Sequence, residues 1–149
     1  MYLNIRMLIL PSNNSMEQTK YIVLYDAQCN FCNYWVRYII KRDRKDVFRF
    51  SALSSNTGKT LLQQYQINPK IDTVVLIKNG SYFTKSTAAL HIMKTLGGLS
   101  SILFPWILLP VAFRDFIYDR IAKYRYHWFG KSDCVIIPPQ KIKHKFLDL

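Results

Sequence analysis

The chain reads as an α/β protein, with elements in the order β-α-β-α-β-β-α around a mixed four-stranded sheet and a helical C-terminal extension. Three observations predict this. Tyr21-Ile-Val-Leu-Tyr25 is an unbroken apolar run, and a helical period follows it closely. Asn79-Gly80 separates two strand-like runs. Beyond Gly97-Gly98 the pattern changes to an almost wholly apolar stretch interrupted by Pro105 and Pro110.

Each element has its own justification. Tyr21–Tyr25 is rich in β-branched and aromatic residues, as expected of a strand covered on both faces. Asp26 to Asn30 is polar and turns the chain. Cys32, Trp35, Val36, Ile39 and Ile40 then recur at i, i+3, i+4, i+7 and i+8, the mark of a helix with one buried face. Lys41, Arg42, Arg44 and Lys45 crowd its end, where cations suit the helix dipole. Val47–Leu53 gives a second strand. The Ser54–Thr57 run offers N-caps for a helix over 58–66, with Leu61, Leu62 and Tyr65 inward. Thr73–Lys78 and Ser81–Lys85 are strands joined at Asn79-Gly80, a dipeptide that accepts the positive φ of a tight hairpin turn. Ser86 or Thr87 caps a further helix that Gly97-Gly98 ends. In the last third, Phe113, Phe116, Ile117, Ile121 and Tyr124 share a helical face expected to pack inward.

Composition bounds the remaining possibilities. A length of 149 residues suits one domain with short tails. Half of the residues are hydrophobic, which excludes a disordered chain. Three cysteines are too few, and odd in number, for a secreted disulfide scaffold. Residues 1–19 read as a flexible appendage, with Met16 an alternative start, and lack the long apolar stretch of a secretory signal. The cytoplasm is therefore the expected location. Residues 20–98 form the expected core, 99–140 the helical extension packed on it, and 141–149 a loose basic tail.

The chemistry centres on Cys29-Asn-Phe-Cys32, set between a strand and a helix. Two thiols at this spacing can close a disulfide across the first helical turn. A thiol at a helix N-terminus faces unpaired backbone N–H groups and the positive dipole end, which favour its thiolate, the attacking species. Cys29 precedes the helical stripe and is expected to be the exposed attacker. Cys32 lies on the stripe and is expected to be the buried resolving thiol. Asp26 has two readings, a turn residue binding backbone N–H groups or a proton relay for Cys32. The competing chemistry is a non-catalytic module holding a metal through Cys29, Cys32 and Cys134, with His127 a further ligand.

The residues also resemble a known family. Asp26-Ala-Gln-Cys29-Asn-Phe-Cys32 is similar to the Asp-x-x-Cys-x-x-Cys signature of the DCC family of thiol-disulfide oxidoreductases, which are thioredoxin-like. The resemblance continues through Asp72-Thr-Val-Val-Leu76, Ser86-Thr-Ala-Ala-Leu90 and Leu96-Gly-Gly98. It extends to Arg114-Asp115, Tyr118, Ala122, Arg125-Tyr126, Trp128-Phe-Gly-Lys131, Cys134 and Pro138. It implies a thioredoxin-like fold and protein-disulfide oxidoreductase activity. Thioredoxins place a cis-proline before the third strand; here Ile71-Asp72-Thr73 holds that place, and the nearest proline is Pro69. Asp72 or Thr73 is left to serve in its stead.

The expected partners are a protein or small-molecule disulfide and an electron donor that the sequence does not identify. No cofactor is required, since the electrons reside in the thiols. The formal charge of +12 is scattered and accompanied by no recognition motif, so specific nucleic-acid binding is not expected. It leaves room for weak peripheral contact with a membrane surface. The prolines argue against a spanning helix over 95–113. His91 and His127 read as packing residues, and Cys134 as a small buried one.

Overall fold

The structure, a computed structural model, describes residues 20–131 and 138–148. The expected appendage over 1–19, and Cys134, lie outside the described residues. The elements are β1 (Tyr21–Tyr25), α1 (Asn30–Arg42), β2 (Phe48–Ala52), α2 (Asn56–Gln64), β3 (Val75–Lys78), β4 (Ser81–Thr84), α3 (Lys85–Leu96) and α4 (Val111–Phe129). Two 3₁₀ segments, Gly98–Leu108 and Gln140–Lys145, flank α4 in the chain. The sheet runs β2-β1-β3-β4. β1 pairs in parallel with β2, while β3 pairs antiparallel with β1 and with β4. This is the mixed four-stranded sheet expected, in a thioredoxin-like arrangement.

Alternation along the strands explains why β1 is apolar throughout. Val23 and Tyr25 join Val36, Ile39, Phe48, Phe50, Ala88 and Ile92 in one core. Leu24 points the other way, into a second core with Leu61, Leu62, Val75 and Ile77. Phe48 and Phe50 have no solvent exposure; burying each contributes roughly 2–3 kcal/mol relative to an exposed ring. The hairpin forms at Asn79-Gly80, with φ of 51° and 77°. α2 starts two residues before the predicted position, with Ser55 as the cap accepting the Gly58 N–H at 2.9 Å.

Two expectations about the helices need correction. Neither Ser86 nor Thr87 caps α3; the cap is Thr84, with no side-chain hydrogen bond. Ser86 donates instead to Asp115, and Thr87 accepts from Arg114, so both hydroxyls fasten α4. The predicted inner face of α4 is its outer one: Phe113, Phe116, Ile117, Ile121 and Tyr124 are all exposed. The buried residues of that helix are Arg114 and Arg125. The apolar stripe loses because the guanidinium groups have specific partners inside, while the 3₁₀ segment leaves the stripe uncovered among the described residues.

The basic tail is docked rather than loose. Lys145 is buried and bonds to the buried carboxylate of Asp43 at 2.8 Å. Phe146 packs on Phe50, with ring centroids 5.8 Å apart, and Leu147 N–H donates to Phe50 C=O at 2.9 Å. The Asp43 carboxylate also accepts the N–H groups of Val47 and Phe48, tying the end of α1 to the start of β2. Among the described residues no helix is long and apolar enough to cross a membrane.

Candidate functional site

β1, an interior strand, ends at Tyr25 and delivers Asp26 to the C-terminal end of that strand. Asp26 Oδ1 accepts the Gln28 N–H at 3.0 Å, the side-chain-to-backbone bond of an Asx turn. The turn leads into Cys29, which is the N-cap of α1 in extended conformation (φ −97°, ψ 115°). Its Sγ accepts the Cys32 N–H at 3.4 Å. A cysteine thus stands where serine or aspartate commonly caps a helix. Both Cys29 and Cys32 are free thiols.

The two sulfurs differ, though their exposure is the reverse of that expected. Cys29 is wholly buried and Cys32 half-buried. Helix periodicity orders residues around α1 but carries no information on what lies over its N-terminus. There the end of α4 closes the site. Gly130 leaves that helix at φ 73°, ψ 175°, a conformation reserved for glycine. Lys131 then forms an isolated antiparallel bridge with Cys29. Asn30 Nδ2 donates to Phe129 C=O at 2.9 Å, and the Phe31 and Phe129 rings lie 5.0 Å apart.

Burial, then hydrogen bonding to Cys29, pushes the Cys32 thiol well above its ordinary pKa. The nearest opposing influence is Arg125, whose Nη1 is 3.7 Å from Cys32 Sγ. Arg125 is buried, and its Nη2 also reaches Asp26 Oδ2 at 3.3 Å, Asp72 C=O at 2.6 Å and the Tyr126 hydroxyl at 3.2 Å. Tyr126 donates to the same Asp26 oxygen. Burial, with that bond to Asp26, pushes the Tyr126 hydroxyl up to about 12. One arginine therefore ties the dithiol, the carboxylate and the chain before β3 into a single network.

The positions standing in for a cis-proline are taken up by α4. Asp72 gives its carbonyl to Arg125, while Thr73 donates to the Tyr118 hydroxyl at 2.7 Å and the Val74 N–H reaches the same oxygen at 3.4 Å. Arg125, Tyr126 and Tyr118 had no assigned role in the sequence reading. A signal was present: 114, 115, 118, 122, 125 and 126, all among the family-like positions, share one helical face. Of the metal alternative's residues, Cys134 lies outside the described residues and His127 is exposed on α4. Among the described residues no three His, Cys, Asp or Glu side chains cluster as a metal site. His91 packs as expected, stacked on Phe83 at 4.3 Å.

A dithiol capping a helix beside a mixed sheet defines a thioredoxin-like redox protein. The chain belongs to the DCC1-like thiol-disulfide oxidoreductase family, which it matches over residues 23–131. It is 39% identical over 127 residues to the uncharacterized protein YuxK of Bacillus subtilis (strain 168), covering 85% of this chain and 93% of that one. It is also 39% identical over 119 residues to a chloroplastic DCC family protein of Arabidopsis thaliana, covering 78% of this chain and 69% of that one. No solved structure matches the chain.

Proposed function

We propose that the protein is a protein-disulfide oxidoreductase of the cytoplasm, in which Cys29 attacks and Cys32 resolves. The single observation that carries this is the asymmetry of the pair: Cys29 Sγ accepts the helix N-terminal N–H of Cys32, whereas burial and the bond to Cys29 push the Cys32 thiol up.

In the first step the Cys29 thiolate attacks a substrate disulfide R–S–S–R′, forming Cys29–S–S–R and expelling R′–S⁻. The Cys32 thiol then loses its proton, which the departing thiolate R–S⁻ receives, and its sulfur attacks Cys29. The Cys29–Cys32 disulfide forms and R–SH leaves. Two electrons pass from the dithiol to the substrate, and an external thiol donor reverses the change. Asp26, within the Arg125 network, holds the turn and serves as the relay for the Cys32 proton. Substrate reaches Cys29 when the Gly130–Lys131 turn lifts from it.

Variants test the division of labour. Cys29→Ser abolishes disulfide reduction, and Cys32→Ser retains the first attack and accumulates mixed disulfides at Cys29, read by mass spectrometry of trapped adducts. Turnover by Cys29→Ser, or adducts carried by Cys32 in the native sequence, contradicts the assignment.

A further inference from the structure

Cys32 opens onto a cavity of ≈ 220 Å³ between α1, α3 and α4. Its floor is Val23, Val36 and Ile92, all buried; Trp35, Met93 and Ile121 form its walls. Among the described residues, the only charged one lining it is Asp26, already engaged by Arg125 and Tyr126. The Tyr118 hydroxyl in its wall is committed to Thr73 and Val74. A cavity so lined gives water few partners. An engineered apolar cavity of about 150 Å³ stays dry and accepts benzene, so this larger one has room for an aromatic or branched aliphatic group.

The geometry points to this cavity as the recognition pocket for the redox partner: the disulfide that exchanges with Cys29 and Cys32 carries a bulky, uncharged, apolar group next to its sulfur. The inference rests on the oxidoreductase reading and adds the chemical class of substrate. A group seated there touches the wall that contains Cys32, so binding holds the mixed disulfide on Cys29 within reach of the resolving thiol. The pocket also continues outward. Ala89, Tyr118 and Ile121 line both this cavity and an apolar cleft bounded by Leu103 and Trp106 of the 3₁₀ segment and by Phe113 of α4. Apolar chain beyond the first group therefore has a surface to follow. A charged neighbour of the substrate sulfur would lose its hydration against these walls, whose charged residues, Asp26 and Arg114, already have partners of their own.

The test uses the full chain and two blocked peptide disulfides of equal charge, one with Ser and one with Phe beside the cysteine. The Phe peptide is expected to exchange about tenfold faster or more, the discrimination an apolar pocket achieves. Ala89→Leu, which adds volume inside the cavity, brings the ratio of the two rates toward one. Met93→Ala enlarges the cavity and moves the preference from Phe toward a Trp peptide; because each readout is a ratio measured on one variant, partial loss of stability does not mimic it. Equal rates for Phe and Ser peptides in the native sequence overturn the pocket while leaving the oxidoreductase reading intact. Exchange with neither peptide overturns both.

Discussion

Arg125 is the residue on which the site depends. It contacts Cys32, Asp26, Tyr126 and the carbonyl of Asp72 from a position with 3% exposure. Arg125→Met leaves the largely buried Asp26 carboxylate without its cation, which costs about 3–5 kcal/mol in a denaturant titration. It also removes the one charge that holds the Cys32 thiol down. The pH at which Cys32 alkylates, already well into the alkaline range, moves higher still. Arg125→Lys recovers part of that shift but less of the stability, since an ammonium cannot span the same partners. An unchanged alkylation profile in Arg125→Met removes Arg125 from the electrostatics of the pair. The thiols themselves were legible from spacing alone, because Cys29-Asn-Phe-Cys32 before a helical period places both at one helix end. Their exposure was not legible, because the cover over Cys29 comes from residues about a hundred positions away.

At the level of elements, α4 shows where pattern reading fails. Periodicity located the helix and its apolar stripe correctly but sent the stripe inward. The inward face is instead polar, with Arg114 bonded to Leu109 C=O and Thr87, and Tyr118 bonded to Thr73. A hydrophobic rule cannot anticipate a helix that docks through hydrogen bonds. The strands and the Asn79-Gly80 hairpin, by contrast, rest on local alternation and turn chemistry, and fell within two residues of their predicted bounds. The C-terminal end of α4 supports a further prediction. Gly130→Ala places a Cβ on a backbone at φ 73°, a conformation that costs a non-glycine residue about 1–3 kcal/mol. The turn relaxes and lifts from Cys29, so Cys29 alkylates several-fold faster in the reduced protein. Slower or equal labelling of Cys29 means that Lys131 does not limit access.

For the whole molecule, the tail ion pairs set the response to acid. Burial works against ionisation of Asp46, but bonds from Lys145, Arg49 and His144 outweigh it and hold its carboxyl below the ordinary carboxylate range. A carboxyl whose folded pKa is depressed stabilises fully above its unfolded value of about 3.9 and loses that contribution as pH falls toward the folded value. Asp46→Asn therefore shows a smaller drop in urea midpoint than the native sequence between pH 4 and pH 2, although it is less stable at pH 7. Parallel curves for the two proteins exclude the Asp46 pairs as a source of acid sensitivity. This docking was hidden from the sequence, where Lys141, Lys143 and Lys145 read as a solvated basic tail. What holds it down is the buried Asp43–Lys145 pair, whose members are 102 residues apart, together with Phe146.

The distance along the chain between Cys29 and Arg125 also governs how the protein is born. Translation delivers residues in order at about 5–20 per second, so the dithiol leaves the ribosome well before the arginine that tempers it and the Gly130–Lys131 turn that covers it. During that interval the nascent chain carries two uncovered thiols with no cation beside them. Oxidation or adduct formation at that stage precedes the docking of α4.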